Sequence, residues 1–323
     1  MLEWLLVHFC IGVAGTWLAR RYALKQSLID QPGERRSHSV ATPRGGGVAI
    51  VISLLVATVA LGIRQPPLAP LMLAFGIGLL LVAGIGWLDD HRPLSPWLRL
   101  AVHVVASGLF GLAVGDLYQS PLLGLAAFAA TLVLTNVWNF MDGINGLAAS
   151  QALIAAVGLA WLAGGSWALL ALALAAACAG FLPFNFPRAR IFMGDVGSGA
   201  IGYALGALCL VAAARLEDRA ALALLPVSVF MVDASLTLLR RLLRGERWWT
   251  PHTQHAYQAW AREFGHGLVT LAYAAISLVV ILLAWGVVPM SPFFITGITV
   301  AWYMCCAFFW LVLQKRYAGP VPH

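Results

Sequence analysis

The sequence predicts an all-α, polytopic integral membrane protein, one domain over residues 1–323, and two observations predict it. The first is charge. Of the 323 residues, 61% are hydrophobic and 10% are charged. A soluble domain of this length carries roughly 25% charge, so too little remains to cover a water-facing surface. The second is the arrangement of the apolar residues, which fall in eleven continuous stretches. A hydrocarbon core of ~30 Å takes about 20 helical residues. Lipid offers the backbone no partners, so each segment pairs its own backbone groups as a helix. Continuous rather than alternating runs exclude an outer-membrane barrel.

The predicted spans are 2–18, 45–62, 69–88, 100–114, 121–137, 147–163, 166–184, 198–214, 220–239, 267–287 and 292–313. The first has neither a basic leader nor a small-residue cleavage site, so it reads as a helix rather than a signal peptide. Basic residues set the orientation. With the N-terminus periplasmic, 17 of the 20 Lys and Arg fall on the cytoplasmic side, leaving Arg64, Arg215 and Arg219 outside. An odd number of spans then puts the C-terminus in the cytoplasm. The net charge of +7 is mostly this bias, scattered over short loops, and does not imply nucleic acid. Cys10, Cys178, Cys209, Cys305 and Cys306 all lie in apolar spans without metal-ligand spacing, which predicts neither disulfides nor a zinc site.

The outer loops are short and plain, whereas five inner segments (19–44, 89–99, 138–146, 185–197 and 240–265) hold the polar residues. The first runs from Asp30 through Arg35 to Arg44 and ends in Gly45, Gly46 and Gly47, where a helix begins. Glycine N–H groups at a helix start can approach an anion. The second holds Asp89, Asp90 and Arg92. Paired carboxylates bind a divalent cation or supply a base, and aspartates at a helix C-terminus oppose the macrodipole. In the third, Asn136, Asn139 and Asp142 recur every three residues, one face of a helix, and Asn145 follows. Four amide or carboxylate groups at membrane depth are poor material for a mere turn. The fourth sets Asp195 among glycines at a helix start, where a carboxylate can meet a metal held by phosphate oxygens, or simply cap the helix. The fifth is the longest, with Trp248, Trp249, His252 and His255. Its histidines lack the further ligands of a zinc site and suit diphosphate contact, and its tryptophans suit an interfacial belt. Asp233, in the preceding span, is functional or paired by the same depth argument.

Together these pieces resemble the polyprenyl-phosphate N-acetylhexosamine-1-phosphate transferases, in order, over about residues 30–258. Asp30, Pro32, Arg35, His38, Pro43 and Arg44 look like the family's first cytoplasmic loop, and Asp89-Asp90 like its paired aspartates. Asn136 to Gly146 resembles its Asn-x-x-Asn-x-x-Asp-Gly-x-x-Gly signature, and Gly194-Asp195-x-Gly-Ser its metal-binding segment. The last loop departs from members with a His-x-His-His run: only His255 aligns with its first histidine, and Thr253 stands where an Arg is familiar. The His-x-x-His-x-Tyr-Gln form resembles the O-antigen-initiating subgroup, which handles 6-deoxy sugars such as N-acetylfucosamine or N-acetylquinovosamine.

The resemblance implies a bacterial inner-membrane enzyme whose partners are the bilayer, undecaprenyl phosphate and a UDP-N-acetyl sugar, N-acetylglucosamine included. A homodimer is compatible with it. It further implies Mg2+, with Mn2+ as the alternative, at Asp195 and Asp142. Asp89, Asp90 and Asp195 are the expected catalytic residues. Asn136, Asn139, Asp142, Asn145, His252, His255, Arg35, Arg44 and Arg92 are the expected substrate contacts. A secondary transporter is the competing class, since Asp233 and glycine-interrupted helices also suit a translocation path, but no internal repeat is visible and the polar residues gather at one surface. An inactive scaffold is opposed by the complete set of aspartates.

Overall fold

The computed structural model describes residues 1–31, 40–250 and 252–317. Within them are eleven α-helices: α1 (Leu2–Lys25), α2 (Val48–Arg64), α3 (Ala69–His91), α4 (Pro96–Leu117), α5 (Pro121–Met141), α6 (Leu147–Ala163), α7 (Gly165–Asn185), α8 (Asp195–Leu216), α9 (Ser228–Leu243), α10 (Ala256–Val287) and α11 (Pro292–Tyr317). Each overlaps one predicted span. Eight helical runs are long and apolar enough to cross a membrane. One of these, Asp195–Leu243, covers two predicted spans, and the shorter apolar helices α2 and α6 supply the other two. The protein is an all-α, multi-pass membrane protein.

Helix α8 is the hub, buried at every residue from Val196 to Ala212. Its glycines explain how neighbours come so close. A Cβ on Gly202 would lie 2.1 Å from the Leu134 carbonyl oxygen, and one on Gly206 would lie 2.6 Å from the Thr131 Cα. Small residues at such crossings replace the hydrophobic drive that lipid removes. Helices α1 and α11 sit at the periphery, with 17% of their apolar windows buried.

Three ends differ from the predicted spans, each for a local reason. Helix α3 runs on through Asp89 and Asp90 to His91, and stops where Arg92 turns extended before Pro93. The span predicted at 220–239 begins as helix only at Ser228, because Glu217–Val227 is a 3-10 segment containing Pro226. Helix α10 starts eleven residues early, at Ala256 rather than 267, with a break at Gly265 (φ 79°). Part of the fifth polar segment is therefore helical.

The first and fourth polar segments are knitted by their backbones. Ile29–Asp30 pairs antiparallel with Thr42–Pro43. Phe192 N–H then donates to the Pro43 carbonyl (2.8 Å), and Gly46 and Gly47 donate to Phe192 and Met193 (2.9 Å each). The expectation that the Gly46 and Gly47 amides face an anion is thereby corrected: both are spent on the carbonyls of the segment that precedes α8.

Candidate active site

Two cavities open at the end of the bundle that carries the five polar segments, and they meet over Arg99, Asp142 and Asp195. The wider, of about 590 Å³, is polar, with Asp30, Arg44, Asp89, Asn145, Asn185 and His266 in its wall. The narrower, of about 280 Å³, is lined by Trp97, Trp248, Trp249, His103, Asn136, Asn139, His252 and His255.

The paired aspartates separate in role because consecutive residues of a helix point about 100° apart. Asp89 is partly exposed; its Oδ1 accepts from Leu94 N–H (2.6 Å) and its Oδ2 from Arg99 (3.0 Å). Asp90 is 3% exposed. Its two oxygens accept from the backbone N–H groups of Asp195 (3.1 Å) and Val196 (3.2 Å), capping the first turn of α8. That contact needs the left-handed Gly194 (φ 78°), where a Cβ would fall 2.4 Å from the Asp90 carboxylate. Asp90 therefore acts through Asp195: it fixes the turn from which Asp195 projects.

Asp195 keeps 30% of its side chain exposed, and its Oδ2 accepts from Arg99, which thus bridges Asp89 and Asp195. Asp142 lies just past the C-terminus of α5, in the wall shared by both cavities, and its carboxylate has no hydrogen-bond partner among the described residues. Burial, then the charges of Asp195 and Asp90, push its pKa up to about 8. Such a carboxylate calls for a cation. Among the described residues no three His, Cys, Asp or Glu side chains are gathered to hold a metal. Magnesium does not require that, since it commonly takes one or two carboxylates and completes its shell with water and substrate phosphate oxygens. The all-oxygen pair of Asp142 and Asp195 fits that demand.

The asparagines divide between the cavities because α5 ends at Met141, in the middle of the motif. Asn136 and Asn139 sit on the helix in the narrow cavity; Asn139 donates to Ser198 Oγ (3.1 Å) and Asn136 to the Leu132 carbonyl (2.8 Å). Asn145 is past the turn in the wide cavity, donating to the Pro187 carbonyl (3.2 Å). Arg44 borders the wide cavity with its Nε buried and unpartnered. Arg92 is exposed and borders neither cavity. Arg35 lies outside the described residues.

The fifth segment is held down by buried charge. Arg241, 3% exposed, donates to Glu246 (2.9 Å) and to the carbonyls of Arg247 (3.0 Å) and Thr250 (3.1 Å). Intramembrane Asp233 is paired rather than free. Its carboxylate accepts from Ala256 N–H (2.9 Å), Tyr257 N–H (3.1 Å) and the Tyr273 hydroxyl (3.0 Å), pinning the start of α10 beside His255. His255 Nδ1 stands 3.6 Å from the same carboxylate, and the His252 ring lies tilted against the His255 ring, 4.9 Å between centroids. Burial, then neighbouring His255 and Arg241, lower the His252 pKa to about 3. It is neutral, and its Nδ1 accepts from Gln254 N–H (3.3 Å).

Sequence reasoning missed Arg99, His103, Trp97 and Asn185 as site residues. Arg99 passed for an orientation anchor, although an Arg ten residues after an aspartate pair and one turn inside a helix is a signal. Asn185 binds Gly146 N–H (2.7 Å) and the Ile191 carbonyl (2.9 Å), joining two motifs that are distant in sequence.

Residues 72–213 match the family model described as glycosyl transferase family 4. The chain is 30% identical to a probable undecaprenyl-phosphate N-acetylglucosaminyl 1-phosphate transferase of Bacillus subtilis, over 75% of this chain and 72% of the relative. It is 31% identical to the decaprenyl-phosphate N-acetylglucosaminephosphotransferase of Mycobacterium leprae, over 87% and 78% respectively. It is 27% identical to an undecaprenyl-phosphate alpha-N-acetylglucosaminyl 1-phosphate transferase of Thermotoga maritima, over 91% and 92%.

Proposed function

The chain belongs to glycosyl transferase family 4, and on that premise we propose that it transfers an N-acetylhexosamine 1-phosphate from a UDP-sugar to undecaprenyl phosphate. A lipid phosphate oxygen forms a bond to the sugar-linked phosphorus. The bond from that phosphorus to the bridging oxygen breaks, and UMP leaves with the electron pair. The observation that carries this reading is the meeting of a polar and an aromatic cavity over Asp142, Asp195 and Arg99, at one end of a membrane bundle.

Phosphoryl transfer asks for positioning and charge neutralisation more than for covalent chemistry. The wide cavity, with Arg44, Asn145 and Asn185, suits the nucleotide and its diphosphate. The narrow cavity, with His252, His255 and the tryptophans, suits the sugar. Asp142 and Asp195 would hold magnesium, or manganese in its place, which when bound neutralises charge at the reacting phosphates. Asp89 orients the lipid phosphate, or takes its last proton, and Asp90 keeps Asp195 in place. Arg99 is the protein's own cation at the reacting centre. The fifth segment sets which sugar is accepted, because uridine, diphosphate and metal are common to every candidate. Its His-x-x-His-x-Tyr-Gln form favours a 6-deoxy N-acetyl sugar and the start of lipid-linked O-antigen. N-acetylglucosamine, named in the relatives, is the alternative.

The positive-inside bias supports a cytoplasmic position for this end of the bundle and for the C-terminus, and the bacterial relatives support an inner-membrane location. Membranes containing the chain, given UDP-N-acetyl sugars, are expected to release UMP. Uptake of intact sugar nucleotide without UMP release would instead support a transporter.

A further inference from the structure

Outside the two catalytic cavities, a groove of about 460 Å³ opens between the C-terminal ends of α9 and α11, and it shares no lining residue with them. Three cationic side chains line it, Arg240, Arg244 and Lys315, and no carboxylate does. Neither Arg244 nor Lys315 has an acidic partner within salt-bridge distance among the described residues. Glu246, which follows Arg244 by two residues, is engaged by Arg241 and Gln254. Away from the cations the walls are apolar and open to the side, with Leu239 (49%), Leu243 (78%) and Leu311 (48%) exposed. A cationic rim at a helix end above an apolar trough matches a phosphate headgroup joined to acyl chains. A soluble anion would make no use of the leucines. The groove also lacks the carboxylates that the reacting lipid phosphate needs.

We propose that this groove binds an anionic phospholipid of the surrounding bilayer, and that its occupancy steadies the histidine segment. The route is short. Arg240 donates to Gln314 Oε1, and Gln314 Nε2 donates to the Gln254 carbonyl (2.7 Å). Gln254 lies between His252 and His255. A headgroup that holds Arg240 therefore holds Gln314, the α11 contact of that segment. Basic pockets between membrane helices take anionic headgroups for this reason, and each basic residue near an anionic surface contributes about fivefold in affinity. The binding half of the proposal stands on the groove alone; the steadying half rests on the transferase reading.

The test uses the full chain in nanodiscs, wild type beside an R244Q/K315Q variant, which leaves Arg240 and its relay intact. Lipid retained after transfer to detergent is measured by native mass spectrometry. Wild type is expected to keep phosphatidylglycerol over phosphatidylcholine, and the variant to lose about 25-fold of that preference. Turnover in pure phosphatidylcholine is expected to match between the two, while severalfold stimulation by phosphatidylglycerol appears in wild type only. Equal retention of both lipids, or equal retention by both proteins, overturns the site. So does displacement of phosphatidylglycerol by stoichiometric undecaprenyl phosphate, or by inorganic phosphate at the concentration of the lipid. Selective retention in a protein that releases no UMP keeps the site and refutes the transferase reading instead.

Discussion

Replacing Asp233 with leucine detaches the histidine segment from the bundle. The carboxylate is buried on α9 and accepts from two helix-start amides, Ala256 and Tyr257, and from the Tyr273 hydroxyl. Leucine fills similar space but leaves four buried donors, the Thr237 hydroxyl (3.2 Å) among them, without that acceptor. Each orphaned group costs about 1–3 kcal/mol, which sums to roughly 4–12 kcal/mol. Relief from burying a carboxylate returns several kcal/mol. The net is on the order of 3 kcal/mol, or about 150-fold in the docked-to-undocked ratio of residues 252–264. Because the hydrogen-bond partners of Asp233 lie on α9 and α10 and not on α5 or α8, the loss is expected to be local. Hydrogen exchange on the detergent-solubilised protein is expected to show deprotection confined to 252–264. The kcat/KM for the transfer is expected to fall by about 100-fold or more, with overall helicity unchanged. Asparagine retains one acceptor and is expected to fall between. If leucine leaves both protection and activity within about threefold of wild type, then Arg241 and Gln314 hold the segment unaided and the reasoning about Asp233 is wrong.

Asp195→Asn is expected to abolish transfer while the protein stays inserted and folded, since the amide still projects from the turn capped by Asp90; near-normal turnover at ordinary magnesium would remove it as a metal ligand. Exchanging residues 248–258 for the Asp-basic-x-His-x-His-His form is expected to change the preferred UDP-sugar in a panel assay. An active chimera with unchanged preference would place specificity elsewhere. His252 has a folded pKa of about 3 against an unfolded value near 6.5, so the unfolded segment binds more protons between those values. The segment is therefore expected to loosen as pH falls below about 6.5, seen as smaller protection factors at 252–258 once the intrinsic pH dependence of amide exchange is divided out, and His252→Asn is expected to flatten that dependence.

Much of this was legible because polar residues are costly in lipid. Asn136, Asn139, Asp142 and Asn145 stood out against apolar neighbours, and eleven stretches became eleven helices. What stayed hidden depends on three-dimensional proximity. Asp89 and Asp90 are identical in sequence, yet one faces Arg99 and the other disappears under α8. Gly46 and Gly47 looked like an anion cradle, because nothing local reveals that Phe192 and Met193 carbonyls arrive from 146 residues away. Arg99 carries the same positive-inside signal as Arg92, and only the packing of α4 beside α3 and α5, which lets Arg99 reach Asp89 and Asp195, separates the residue at the centre from the one in solvent. The early start of α10 was masked by the polarity of its first turns, which Asp233 stabilises from another helix.

In the proposed reaction a phosphosugar moves, not the sugar alone and not the intact nucleotide. The most direct measurement incubates purified chain with undecaprenyl phosphate, magnesium and a panel of UDP-N-acetyl sugars, then identifies both the nucleotide released and the mass of the lipid product. UMP is expected together with an undecaprenyl-diphospho-N-acetylhexosamine, both lost on chelation and in Asp195→Asn. Release of UDP with an undecaprenyl-monophospho-sugar, or no lipid product with any sugar of the panel, would contradict the proposed reaction.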